Sequence, residues 1–195
     1  MRCFIILLFF FTASLNAQSR FQSVKDHIMR MAVISAKDIT SEVSSNHIKL
    51  NNQLNQIKEK GGHLFILIRG EITKFSELET GCIITIKGDY FKDISLYSAL
   101  DEDVFTYSVG EEIYAFASPY RLQEYDSIYD IAILSKTKLE LAEKIIAIVN
   151  GIINYPEKYT LLKHLLDVKS SIYKHIGMDS SISAFVKYFN LENAH

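Results

Sequence analysis

A chain of 195 residues with 48% hydrophobic and 23% charged residues has an ordinary globular composition, too apolar for a disordered chain and too short for two independent cores. Its 21 basic residues interleave with 23 acidic ones for a formal charge of −2, so no basic stripe marks a phosphate-binding footprint and nucleic acid is not expected as a partner. Two cysteines exclude a disulfide-stapled miniprotein.

Residues 1–17 read apart from the fold. Arg2 precedes an unbroken apolar run, Phe4 to Phe11, which gives way to Thr12, Ala13, Ser14, Leu15, Asn16 and Ala17. A charged start, a short apolar stretch and small residues after it are the parts of a cleavable export signal. The run is about half of the roughly 20 residues a helix needs to cross a hydrocarbon core, so no stable membrane span is expected. Cleavage is expected after Ala17, leaving residues 18–195 as one exported α+β domain, periplasmic or secreted. Cys3 leaves with the signal. Cys82, in the apolar run GCIITI, reads as a small buried side chain in a strand.

Residues Phe21 to Lys60 contain neither Gly nor Pro. Phe21, Val24, Ile28, Met31, Ile39, Val43, Leu50, Leu54 and Ile57 fall mostly at steps of three, four and seven, which predicts a long N-terminal helix over 21–60. The stripe is interrupted from Ser41 to Asn46, where short polar side chains compete for backbone hydrogen bonds and admit a bend or two helices. Gly61-Gly62 stops the helix, after Lys58 and Lys60 in its last turn.

A sheet region follows over 63–134. HLFILIR and CIITIK are β-branched-rich runs closed by Gly70 and Gly88 and read as two strands, with ITKFSELETG as their connection. The spacing of Tyr90, Phe91, Ile94, Tyr97 and Leu100 predicts a short helix. VFTYSVGEEIYAFA reads as a hairpin. Val109 resists positive φ, so the loop is Ser108-Val109-Gly110 with Gly110 left-handed, pairing Phe105 with Ile113 and Val104 with Tyr114. SPYRLQEYDS reads as a turn region and SIYDIAILS as a fifth strand.

The last region, 137–190, is predicted helical. Thr137-Lys138-Leu139-Glu140 has the form of a capping box and opens a helix. From Ile145 to Ile153 only Asn150 and Gly151 interrupt its apolar run, which predicts burial at the centre of the fold. Pro156 suits a first helical turn, Gly177 a helix stop, and Asp179-Ser180 the start of a last helix carrying Ile182, Phe185, Val186 and Phe189. The expected fold is therefore α+β: about five strands in a mainly antiparallel sheet, preceded by a long N-terminal helix and covered by three C-terminal helices. The first part of this element order resembles that of PAS-like and Cache-like sensor domains. That resemblance implies a sheet that cups a small ligand.

No local chemistry stands out. The six histidines, His27, His47, His63, His164, His175 and His195, form no H-x-x-x-H pair. Asp101, Glu102 and Asp103 before the predicted hairpin, and Glu111 and Glu112 past its tip, lack the spacing of a calcium loop. No catalytic residue, metal or cofactor is expected, although a triad assembled from distant residues would leave no local trace. The aromatic content is more informative: 11 Tyr and no Trp, with Tyr90, Tyr97, Tyr107, Tyr114, Tyr120, Tyr125 and Tyr129 close together. Tyrosine joins a large apolar body to a polar tip and is favoured at binding surfaces. The leading expectation is an exported non-catalytic protein, of inhibitor or immunity type in the cell envelope, that holds a protein partner through Tyr107, Tyr114, Tyr120 and Tyr125. An extracytoplasmic small-molecule sensor and an envelope hydrolase are the alternatives.

Overall fold

The computed structural model describes residues 21–41, 44–60, 64–78, 81–89, 92–98, 106–122, 127–154 and 188–189. The predicted export signal and most of the region from 155 onward lie outside these. The chain is α+β, with a mainly antiparallel six-stranded sheet and helices. Helix α1 covers 21–30. It is followed by strand β1 (Val33–Ser35) and helices α2 (Ala36–Thr40) and α3 (Ser45–Lys60). Then come β2 (Ile66–Leu78), β3 (Gly81–Asp89), β4 (Lys92–Ser98), β5 (Glu112–Leu122), β6 (Ser127–Ser135) and helix α4 (Lys138–Asn154).

The sheet closes on itself. Its order is β1-β2-β3-β4-β6-β5, and β2 also pairs with β5. Strands β2 to β6 therefore form a ring, antiparallel throughout except where β4 runs parallel to β6, from Ile94↔Ser127 to Leu96↔Tyr129. β2 makes closure possible by bending. Its first half pairs with β5, Ile66 with Ala117 through Glu71 with Glu112. Its second half pairs with β3, and the register shifts between Ile72 and Lys74. A bulge of this kind bends and twists a strand so that one strand serves both sides of a barrel.

Alternation along the strands builds two cores. Ile66, Ile68, Ile72, Cys82, Ile84, Ile86, Ile94, Leu96, Ile113, Ala115 and Leu134 fill the barrel, which α2 and α3 cap with Ala36, Ile39, Leu50 and Leu54. Outside the barrel, Leu67, Phe116 and Ile133 meet Val24 and Ile28 of α1 and Leu141, Ala142, Ile145 and Val149 of α4. Phe65 and Phe116 stack at 4.6 Å, and Tyr188 and Phe189 close over them. Lys138 at the start of α4 donates to the carbonyls of Met29 (2.8 Å) and Met31 (2.7 Å), tying the two outer helices together.

Several expectations are corrected. The predicted helix 21–60 is broken, because Val33–Ser35 form a strand parallel to Leu67–Arg69; a sheet partner outweighs helical periodicity. The ITKFSEL part of the expected connection belongs to β2. The stretch expected as a short helix is β4: Ile94 and Leu96 are fully buried in the barrel while Ser95 and Tyr97 between and after them are half-buried, a period of two. The expected pairs of Phe105 with Ile113 and Val104 with Tyr114 involve residues outside the described ones; Tyr114 itself pairs with Arg69 of β2 and Ser135 of β6. The expected turn is present, with Gly110 at φ 88° and Glu111 N donating to Ser108 O (3.1 Å). β5 continues to Leu122 into the expected turn region. Helix α4 starts at the predicted cap, Glu140 N donating to Thr137 Oγ1 (3.2 Å), but it buries one face and leaves Ala147 exposed. It is a covering helix.

Candidate functional site

Barrel strands that turn one residue inward turn the next outward, and on β3 and β4 this produces a defined wall. Ile83, Thr85 and Lys87 face out from β3, and Asp93, Ser95 and Tyr97 from β4, since Cys82, Ile84, Ile86, Ile94 and Leu96 face in. The register sets Ile83 opposite Tyr97 and Thr85 opposite Ser95. β2 extends both rows, with Ser76 opposite Ile83 and Lys74 opposite Thr85. The result is an apolar and aromatic pair beside a row of hydroxyls. Ile83, Thr85, Ser95 and Tyr97 are half-buried, while Lys74 and Lys87 are exposed. The outer core under α1 and α4 is built on the opposite wall, from β2, β5 and β6.

The polar groups of this wall divide into engaged and unengaged. Asp93 accepts from Gly88 N through Oδ1 (3.2 Å) and lies 3.4 Å from Thr73 Oγ1 through Oδ2. The Thr73 hydroxyl also lies 3.1 Å from Thr85 O. The Lys74 and Lys87 side chains make no hydrogen bond or ion pair among the described residues. The wall is braced at its hairpin end. Thr40 of α2 accepts from Asp89 N (2.6 Å).

Of the tyrosines singled out from the sequence, Tyr107 is 6% exposed and belongs to the barrel interior. Its hydroxyl accepts from Lys144 Nζ (3.2 Å), and the Lys136 and Lys144 ammonium groups stand 5.9 and 5.7 Å from its ring centre. Tyr114 is half-buried against the outer core, with Arg69 6.0 Å from its ring. Tyr120 lies on β5, and Tyr125 lies outside the described residues. Tyr107 and Tyr114 thus sit in different cores. Tyr97, expected on a short helix and outside the expected binding set, lies on the β3–β4 wall; the alternation Ile94-Ser95-Leu96-Tyr97 was the signal that could have found it.

The remaining candidate chemistry is committed to structure. Glu111 pairs with Lys136 (2.6 Å) and accepts from Ser108 N (3.0 Å), and these bonds hold its carboxyl below the usual range. Glu112 is held low in the same way by its hydrogen bonds to Arg69, one of them Nη2 to Oε2 at 3.0 Å. Burial pushes the Cys82 thiol up, away from the thiolate form that reacts. His47 bonds to Ile39 O (2.5 Å) and Asn51 Nδ2 (2.9 Å), and His27 to the Tyr188 hydroxyl (2.8 Å). Among the described residues no group of three or more His, Cys, Asp or Glu could hold a metal ion, and no helix is long and apolar enough to cross a membrane. His63, His164, His175, His195 and Asp101 to Asp103 lie outside the described residues.

Taking β2 to β6 as strands one to five, the ring runs one-two-three-five-four and back to one, with its parallel pair between three and five. That is the Greek-key barrel of the OB fold, and β3 and β4 are its second and third strands. No family model matches the sequence. No curated protein matches it either. Among solved structures the chain is similar to a putative aspartyl-tRNA synthetase from Leishmania major Friedlin, at 10% identity and TM-score 0.36 over 54% of this chain and 20% of that one. It is also similar to the S. pombe Stn1-Ten1 complex, at 15% identity and TM-score 0.28 over 41% of this chain and 66% of that one. The chain thus spans less than two thirds of either. With both TM-scores under 0.5, the fold assignment rests on strand order alone.

Proposed function

We propose that this is an exported, non-catalytic binding protein that takes a protein partner on the outer wall of β3 and β4. The observation that carries the reading is the facing pair Ile83 and Tyr97, half-buried and flanked by Ser76, Thr85 and Ser95, on the barrel wall opposite the helix-covered one. Apolar and aromatic anchors ringed by neutral hydroxyls have the composition of a protein-binding patch. Strands two and three of OB barrels are also a recurrent ligand-binding face, although fold alone does not fix function. The interior of the barrel is filled by its own side chains, which favours this outer wall over a ligand cupped inside the sheet. The engaged state of Glu111, Glu112, His27 and His47 supports a binding role over a hydrolytic one. Tyr97 thereby takes the role first expected of Tyr107 and Tyr114. An inhibitor or immunity-type protein of the cell envelope is one concrete form.

The test is co-precipitation from the envelope of cells expressing the chain with its own N-terminus. The recovered protein should begin near Gln18, and Ile83→Asp/Tyr97→Ala should lower partner recovery at least about tenfold while the melting temperature stays near that of the parent. Equal recovery of the same partner by parent and double variant would sink the proposal, and a mature protein beginning at Met1 would remove the export part.

A further inference from the structure

We infer that the partner of the β3–β4 wall presents an acidic segment to it, an inference that rests on the binding reading above. Lys74 lies opposite Thr85. Lys87 is two residues further along β3 and on the same face, so both cations border one hydroxyl-bearing position. Both are exposed, and neither side chain has a hydrogen-bonding or ionic partner among the described residues. Asp93, across from Lys87 on β4, accepts from Gly88 N and lies 3.4 Å from Thr73 Oγ1, and it makes no ion pair with either lysine. At the other end of β2 the situation is reversed: Arg69 is bonded to Glu112, and nearby Lys136 to Glu111. A chain of formal charge −2 therefore keeps two cations outside any ion pair of the described residues, beside its apolar and aromatic pair.

Charge complementarity of this kind steers encounter and selects among partners that share the same apolar contact. An extended segment rises about 3.3 Å per residue, so carboxylates two residues apart along one face match two lysines bracketing a single strand position. The occupant that fits is a protein segment with Asp or Glu at two alternate positions and an apolar residue at the next position of that same face, resting on Ile83 and Tyr97.

A synthetic Glu/Tyr copolymer is the probe, titrated into the full-length isotope-labelled protein and followed by the resonances of Ile83 and Thr85. The expected result is saturable shifts at those residues that weaken as salt rises past about 0.15 M, where the screening length falls to ~8 Å. Affinity should fall at least tenfold in Lys74→Glu/Lys87→Glu, and a Lys/Tyr copolymer should leave the wall unperturbed. Equal affinity of that variant for the copolymer overturns the inference. So does tighter binding of a single-stranded oligothymidylate to the same residues, which would make the ligand a nucleic acid. The same variant in the envelope co-precipitation separates the two proposals. If Ile83→Asp/Tyr97→Ala loses the partner while Lys74→Glu/Lys87→Glu keeps it, only the acidic inference falls. If both keep it, the wall itself is the wrong surface.

Discussion

Two glycines show what one residue's surroundings decide. A Cβ at Gly88 would stand 1.6 Å from Lys92 O and 2.8 Å from Thr40 Oγ1, so the site has no room for a side chain. Gly110 has open space around it but a φ of +88°, a conformation that costs an L-residue about 1–2 kcal/mol. Urea denaturation should therefore find Gly110→Ala less stable by roughly that amount and Gly88→Ala harmed more severely, with loss of the Thr40 to Asp89 bond. Variants of equal stability would contradict the packing at the β3–β4 hairpin. Gly110 was legible in the sequence, since Val109 before it resists the left-handed region. Gly88 read only as the end of a strand, because what crowds it is set by how the hairpin folds, which brings the Lys92 carbonyl back onto it, and by Thr40, which arrives from far along the chain.

At the scale of elements, short runs misled where a tertiary partner overruled local spacing. The apolar positions from Tyr90 to Leu100 satisfy helical steps, yet among the described residues those that reach the barrel interior, Ile94 and Leu96, are two apart and belong to a strand. Val33–Ser35 fell inside the predicted helix 21–60 and became an edge strand because Leu67–Arg69 offered it a ladder. The cap at Thr137 was legible because its bonds are local. The turn before β5 supports a pH prediction. Glu111 and Glu112 are held below the ordinary carboxyl value of 4.5 by Lys136 and Arg69. Their contribution to stability is present above the unfolded-state value and is lost as pH falls through the lowered folded-state values. Denaturation profiles between pH 6 and pH 3 should show a loss on acidification that is shallower in Glu111→Gln/Glu112→Gln. Both pairs are solvent-exposed and the difference will be small, but an unchanged slope would assign the acid sensitivity elsewhere.

For the whole molecule, the unit that matters is β2, whose neighbouring residues feed both cores: Ile66 and Ile68 point into the barrel and Leu67 into the layer under α1 and α4. Two cores that share one strand should unfold together. Ile68→Ala and Leu67→Ala, both at fully buried positions, are each expected to cost about 2–5 kcal/mol and to leave a single transition when fluorescence and circular dichroism are compared. Separate transitions would mean that the outer layer is an independent unit. Closure itself was not legible. Strands of this length say which face is buried, but nothing in their composition tells β5 to skip β4 and return to β2. The sequence supported an α+β sheet of about five strands, while the ring, and with it the wall carrying Ile83 and Tyr97, followed only from long-range pairing.

That return of β5 also sets an order of events. Leu67 to Arg69 have both edges occupied, by Val33–Ser35 on one side and by Tyr114 to Phe116 on the other. A growing chain makes one of these partners long before it makes the other. In the interval the strand that feeds both cores carries an open backbone edge, the feature that invites pairing between chains. The ribosome must add some fifty residues beyond Leu67 before this barrel can close that edge, so keeping the chain from its neighbours until then is part of the cost of building it.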